Sequence, residues 1–225
     1  YSVGDEYQNL LVFYPLFPAA IRLFSYIFGN YYAAGMVVSN LSAVVGACFL
    51  YKLIRLDYSK QVAGDTVLFF ILYPFSLFLS YCYTESLFLM LCIMCAYFAR
   101  RSKWVWCGIT GFLAALCRNQ GVIMFGVAAY EYVVQSAEIA GKEKRGKLKA
   151  FFKNLSPKGL FLLLIPAGLG VYLTINKVLF GDFFQFMKFQ AEPPWYNGAD
   201  FFVNNLRQHL EMAQKYEGLA YIIYI

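Results

Sequence analysis

The chain has 225 residues, 60% of them hydrophobic and 14% charged, against roughly 45–50% and about 25% in ordinary soluble domains. So few charges cannot cover the surface of a soluble fold, and the apolar runs suit about six to eight membrane crossings. The net charge of +6 is concentrated, with 13 of the 19 basic residues at Lys52/Arg55/Lys60, at Arg100/Arg101/Lys103 and in residues 135–158; this reads as the cytoplasmic loops of a membrane protein and not as a nucleic-acid interface.

Taken in chain order, the sequence opens at Tyr1 with no Met, signal peptide or lysine-rich leader, and closes at Ile225 inside an apolar run. The expectation is a single membrane domain, 1–225, incomplete at both ends. Residues 10–28 contain Pro15, Pro18 and Arg22, which break or charge a spanning helix. A helix starting at Pro18 and lying on the outer membrane face fits them better.

Residues 32–54 are long enough to cross and end at the first basic loop. Residues 62–80 return to the outside, where 81–85 form a tight loop. Residues 86–99 run in to Arg100 and Arg101, and 104–117 run out. The polar stretch 118–121 breaks the run, and 122–134 come back. Residues 135–158 are then a cytoplasmic basic loop, 159–180 lead out, 181–216 form an external loop, and a last crossing begins near Gly218. Every basic cluster lands on one side, so Asn154-Leu155-Ser156, which matches a glycosylation acceptor, should stay unmodified.

Three of these crossings are short, 13 or 14 residues, where about 20 span a ~30 Å core. Short helices with a polar break at membrane depth are tolerated beside protein or a watery cavity. The break at 118–121 therefore lines a cavity reached from outside. The fold class is all-α: a multi-pass helical bundle with an outer-face interfacial helix and short broken helices.

Few residues in such a chain can carry chemistry. The six cysteines lie almost wholly in apolar runs; Cys92 and Cys95 match C-x-x-C but read as buried small residues, with no second pair or histidine near. His209, the only histidine, cannot head a metal site alone, and neither a metal nor a cofactor is expected. Glu85 starts a crossing on the outer side. It reads either as a first-turn carboxylate favoured by the helix dipole, with Thr84 as cap, or as a group that orients a sugar or phosphate. Arg118, between two apolar runs, is expensive without a partner. Its fork of donors suits phosphate oxygens, the alternative being a side chain that snorkels to the interface. Asp65 reads as a hydrated helix start, with a proton relay or ion ligand as the transporter alternative.

Several stretches together resemble a known family. Phe13-Tyr14-Pro15-Leu16-Phe17-Pro18 followed by Ile21-Arg22-Leu23 is similar to the F-F-P-L-Y-P…I-R-L signature of PIG-V-like (GPI mannosyltransferase 2-like) mannosyltransferases. Pro74-Phe75-Ser76 with Tyr83-Thr84-Glu85-Ser86-Leu87-Phe88, Gly111 to Ala114 with Cys117-Arg118 and Gly121, and Phe180-Gly181-Asp182 with Phe186, Gln190 and Trp195 extend the likeness over about 11–195.

The resemblance implies a membrane glycosyltransferase of GT-C type. It would move mannose from a polyprenyl (dolichyl) phosphate to a glycolipid or GPI-type acceptor on the luminal or outer face, in the endoplasmic reticulum membrane of a eukaryote or the plasma membrane of a bacterium. Its partners would be the bilayer, the lipid-phosphate sugar donor, the glycolipid acceptor and a membrane subunit. Arg118 would bind the donor phosphate, and Tyr83, Thr84, Glu85, Asp182, Gln190 and Trp195 would bind substrate. The family's acidic base lies in a Trp-Asp-type motif that would fall before Tyr1; Asp5 and Glu6 are weaker substitutes. Family members carry Thr-Arg-Pro where this chain has Cys117-Arg118-Asn119, so the arginine matches and its neighbours differ. Transfer of another sugar, a transporter or flippase, and a noncatalytic membrane subunit are the competing readings.

Overall fold

Local backbone and capping chemistry marks several of the helix ends in this computed structural model, which describes residues 11–141, 157–191 and 207. Helix α1 (Leu16–Phe28) follows Pro15 and ends at Gly29, whose φ of +64° favours glycine and lets its N–H reach the Ser25 carbonyl at 2.8 Å. Pro18 therefore lies inside the first turn, where its missing N–H has no intrahelical partner to lose, two residues after the observed start. Asn30 caps α2 (Tyr31–Ile54) by accepting from Tyr32 N at 2.8 Å and Ala33 N at 3.1 Å. Ser59 caps α3 (Lys60–Leu72) in the same way.

The expected crossing at 62–80 is not one helix. Helix α3 stops before Tyr73, which adopts an extended conformation ahead of Pro74. A 3₁₀ turn (Pro74–Ser76) and the single turn α4 (Leu77–Ser80) follow. Proline lacks the N–H that would continue the ladder and disfavours helical geometry in the residue before it.

The next three elements are α5 (Glu85–Arg100), α6 (Trp104–Cys117) and, after a 3₁₀ segment (Asn119–Ile123), α7 (Met124–Gly141). The first two keep close to the sequence reading, while α7 runs on past 134 to Gly141, into the segment expected to be a loop. A 3₁₀ start (Pro157–Leu163) leads into α8 (Leu164–Phe180), and α9 (Gln185–Ala191) is short. No strand occurs among the described residues. Two helical stretches, Tyr31–Ile54 and Pro157–Phe180, are long and apolar enough to cross a membrane.

The chain divides into two compact units. Phe13–Phe183 holds α1 to α8, and the second unit contains residues 11–12, 184–191 and 207 of those described. Inside the first, Phe17, Val38, Leu87, Leu91, Ala114 and Cys117 form one buried cluster joining α1, α2, α5 and α6. A second cluster of Cys95, Ala99, Trp104, Cys107, Ala128 and Ile165 joins α5, α6, α7 and α8. The C-x-x-C spacing has no structural meaning here. Cys95 pairs across helices, its Sγ 3.5 Å from Cys107 Sγ, while Cys92 is half-buried.

The basic end of the unit is fastened by ions. Arg100 grips Asp57 with two bonds of 2.7 and 2.9 Å and reaches Glu131 at 3.4 Å, tying α5 to the α2 exit and to α7. Gln135 extends the network by donating to Glu131 at 2.8 Å and to the Ala99 carbonyl at 3.0 Å. Asp65 is exposed on α3, in its second turn.

Candidate functional site

The site begins with a tight turn held in place from several directions. Ser39 Oγ donates to the Tyr83 carbonyl at 3.1 Å, and Asn40 Nδ2 donates to the Ser80 carbonyl at 2.9 Å. Ser86 Oγ donates to the Leu79 carbonyl at 2.5 Å. These bonds from α2 and α5 fix the approach to α5, so that Glu85 enters its first turn in a set position. Thr84 occupies the cap position, but its backbone is already helical and its side chain makes no capping bond. The sequence expectation of a Thr84 cap is thereby corrected: helical dihedrals aim its hydroxyl away from the first-turn N–H groups.

Arg118 arrives from the other side of the same pair of helices. After α6 ends, its backbone turns extended (φ −153°, ψ 150°), which lets the side chain leave the helix axis toward α5. Gly121 makes that turn possible, because a Cβ there would collide with the backbone of Ala114 and Ala115. Arg118 Nη1 donates to Glu85 Oε1 at 2.7 Å and to Thr84 Oγ1 at 3.4 Å, and the guanidinium lies 5.8 Å from the Phe88 ring centroid. Both charged side chains are about one-third exposed, 35% and 36%.

The pairing is one-sided. Glu85 Oε2 is buried with no hydrogen-bond partner. Beside it opens a cleft of about 510 Å³, walled by Phe69, Phe70, Tyr73, Phe78 and Leu89, with Glu85 in its lining. Such a volume is within the range of about 300–1,000 Å³ usual for small-molecule sites. The arrangement offers one guanidinium, one carboxylate and an apolar trough, a combination suited to an amphiphile with a polar head.

No matching family, similar curated protein or similar solved structure was found for this chain.

Of the residues singled out in the sequence, Tyr83, Thr84, Glu85 and Arg118 come together here. Tyr83 packs edge-on against Phe78, their ring centroids 5.6 Å apart. Asp182 lies in the turn that closes α8, just after Gly181 at φ +79°. Gln190 is on α9, in the second compact unit. Asp5, Glu6 and Trp195 are outside the described residues. Sequence reasoning took Glu85 and Arg118 as separate candidates and missed their ion pair. A signal for it existed: α5 begins and α6 ends on the same side, so opposite charges at those two ends can meet. Among the described residues no group of three or more potential metal ligands forms.

Proposed function

We propose that this chain is the membrane part of a glycosyltransferase that moves mannose from a polyprenyl (dolichyl) phosphate to a glycolipid or GPI-type acceptor on the luminal or outer face. The observation that carries the reading is Arg118 at a helix break, paired at 2.7 Å with Glu85, which lines an apolar cleft. The guanidinium suits a phosphate and the cleft suits an isoprenoid chain.

A multi-pass bundle of GT-C type is the architecture in this reading. Phe69, Leu72, Leu160 and Val178 are 72, 67, 68 and 76% exposed, a burden for a surface in water and ordinary for one in lipid. Helix α1 turns Phe17 inward and leaves Leu23, Tyr26 and Ile27 exposed, in keeping with a helix lying along the interface.

The chemistry asks for two things. The acceptor hydroxyl must lose its proton to a carboxylate base, and the departing lipid phosphate must be stabilised. Arg118 is suited to the second task, since a fixed cation aimed at a developing anion lowers the barrier most where water is scarce. Replacing it by alanine should cut transfer from radiolabelled polyprenyl-phosphate mannose by roughly 10²–10³ in detergent, the scale of losing one preorganised donor. Arg118→Lys should recover part, because an ammonium keeps the charge and loses the fork. Near-normal transfer by Arg118→Ala at equal expression would sink the assignment.

A transporter or flippase is the second reading, favoured by the fact that Glu85 already neutralises Arg118. Translocation of a fluorescent polyprenyl phosphate across vesicles, without any sugar transfer, would select it.

A further inference from the structure

Two positive features converge on one point of the structure, and a side chain of the protein itself occupies that point. One is Arg118. The other is the N-terminus of α5, a helix of 16 residues whose cap residue Thr84 makes no side-chain capping bond. Helix N-termini attract anions through their free N–H groups and dipole. The anion present is the Glu85 carboxylate, in the first turn of α5 and 2.7 Å from Arg118 Nη1.

That carboxylate fills the position poorly. An arginine and a carboxylate at their best make two parallel bonds, as Arg100 and Asp57 do at the other end of α5. Here Oε1 takes Nη1 alone and Oε2 has no partner. Both side chains remain about one-third exposed, so the pair can open without unpacking the core.

We infer that Glu85 is a resident competitor for a lipid phosphate at Arg118, an internal anion that must yield when the phosphate head binds and that thereby weakens its affinity. This rests on the reading of Arg118 as the phosphate site. It adds a role for Glu85 opposite to that of a substrate-binding group: its charge opposes the ligand. The cleft beside it, with Glu85 in its wall, leaves room for the lipid chain while the head displaces the carboxylate.

The test is direct binding of radiolabelled geranylgeranyl phosphate to the full chain in nanodiscs. Glu85→Gln keeps the shape and an acceptor oxygen for Arg118 while removing the competing charge. It should bind the probe about three- to tenfold more tightly than wild type. Glu85→Asp keeps the charge but shortens its reach, and should fall between the two. Arg118→Ala should bind at least tenfold more weakly. Equal or weaker binding by Glu85→Gln, with Arg118→Ala still impaired, overturns the competitor role and leaves the phosphate site standing. Should Glu85→Gln fail to fold, binding by Glu85→Asp that is weaker than wild type overturns the competitor role in its place. Unchanged binding by Arg118→Ala removes the phosphate site and the competitor role together.

Discussion

The Tyr14 ring stacks on Tyr172 with centroids 3.9 Å apart, yet its hydroxyl is buried with no hydrogen-bond partner. Burial pushes the phenol well above its ordinary pKa, so it stays neutral at any working pH. An unmatched buried hydroxyl costs about 1–3 kcal/mol. Tyr14→Phe keeps the stack and removes that penalty, and should raise stability by about 1 kcal/mol, read as a higher Tm in detergent; a lower Tm would mean the hydroxyl is held by a bond. At this scale the sequence was informative about identity and weak about pairing. Arg118 stood out because a lone cation in an apolar run demands a partner. Its partner lies 33 positions away, a distance at which no local rule of spacing operates. The Tyr14 contact was equally hidden, since ring stacking across two elements leaves no periodic trace.

The break between α6 and α7 is an element-scale device, and two glycines near it behave oppositely. At Gly121 a Cβ would meet the backbone of Ala114 and Ala115, which cannot swing aside, whereas at Gly126 nothing lies within 4 Å. Gly121→Ala should destabilise by roughly 1–3 kcal/mol, the scale of overpacking, and should displace Arg118 enough to weaken phosphate binding. Gly126→Ala, in the first turn of α7, should stabilise by about 0.4–1 kcal/mol through reduced freedom of the unfolded chain. Thermal unfolding of both variants checks the pair; similar shifts in the two would refute the close approach at Gly121. Element existence was legible because apolar runs and polar breaks coincide with helix ends, as at Trp104–Cys117. Residues 62–80 have the hydropathy of a continuous crossing, but the backbone chemistry of Pro74 ends α3 at Leu72 within that apolar run.

Across the whole first unit, charge is sorted to the two ends of α5. Glu85 and Arg118 meet at one end, and Asp57, Arg100 and Glu131 meet at the other. The 16 residues between those ends rise only about 24 Å, somewhat less than a ~30 Å hydrocarbon core. If the chain is a multi-pass protein, the bilayer must thin or the ends must carry the polar groups deeper, which fits ion pairs at both ends in place of lone charges. In that reading the positive-inside rule would put the basic loops on the cytoplasmic side. Tyr58, between α2 and α3, belongs to the basic end, and Tyr31, at the start of α2, to the opposite end; both are exposed, 59 and 67%. In a background lacking the native cysteines, Tyr31→Cys should react with a membrane-impermeant maleimide added to sealed right-side-out vesicles, while Tyr58→Cys should react only after permeabilisation. Labelling of both positions from outside would rule out the crossing by α2, and labelling of Tyr58→Cys alone would invert the protein, moving the Glu85–Arg118 pair to the cytoplasmic face.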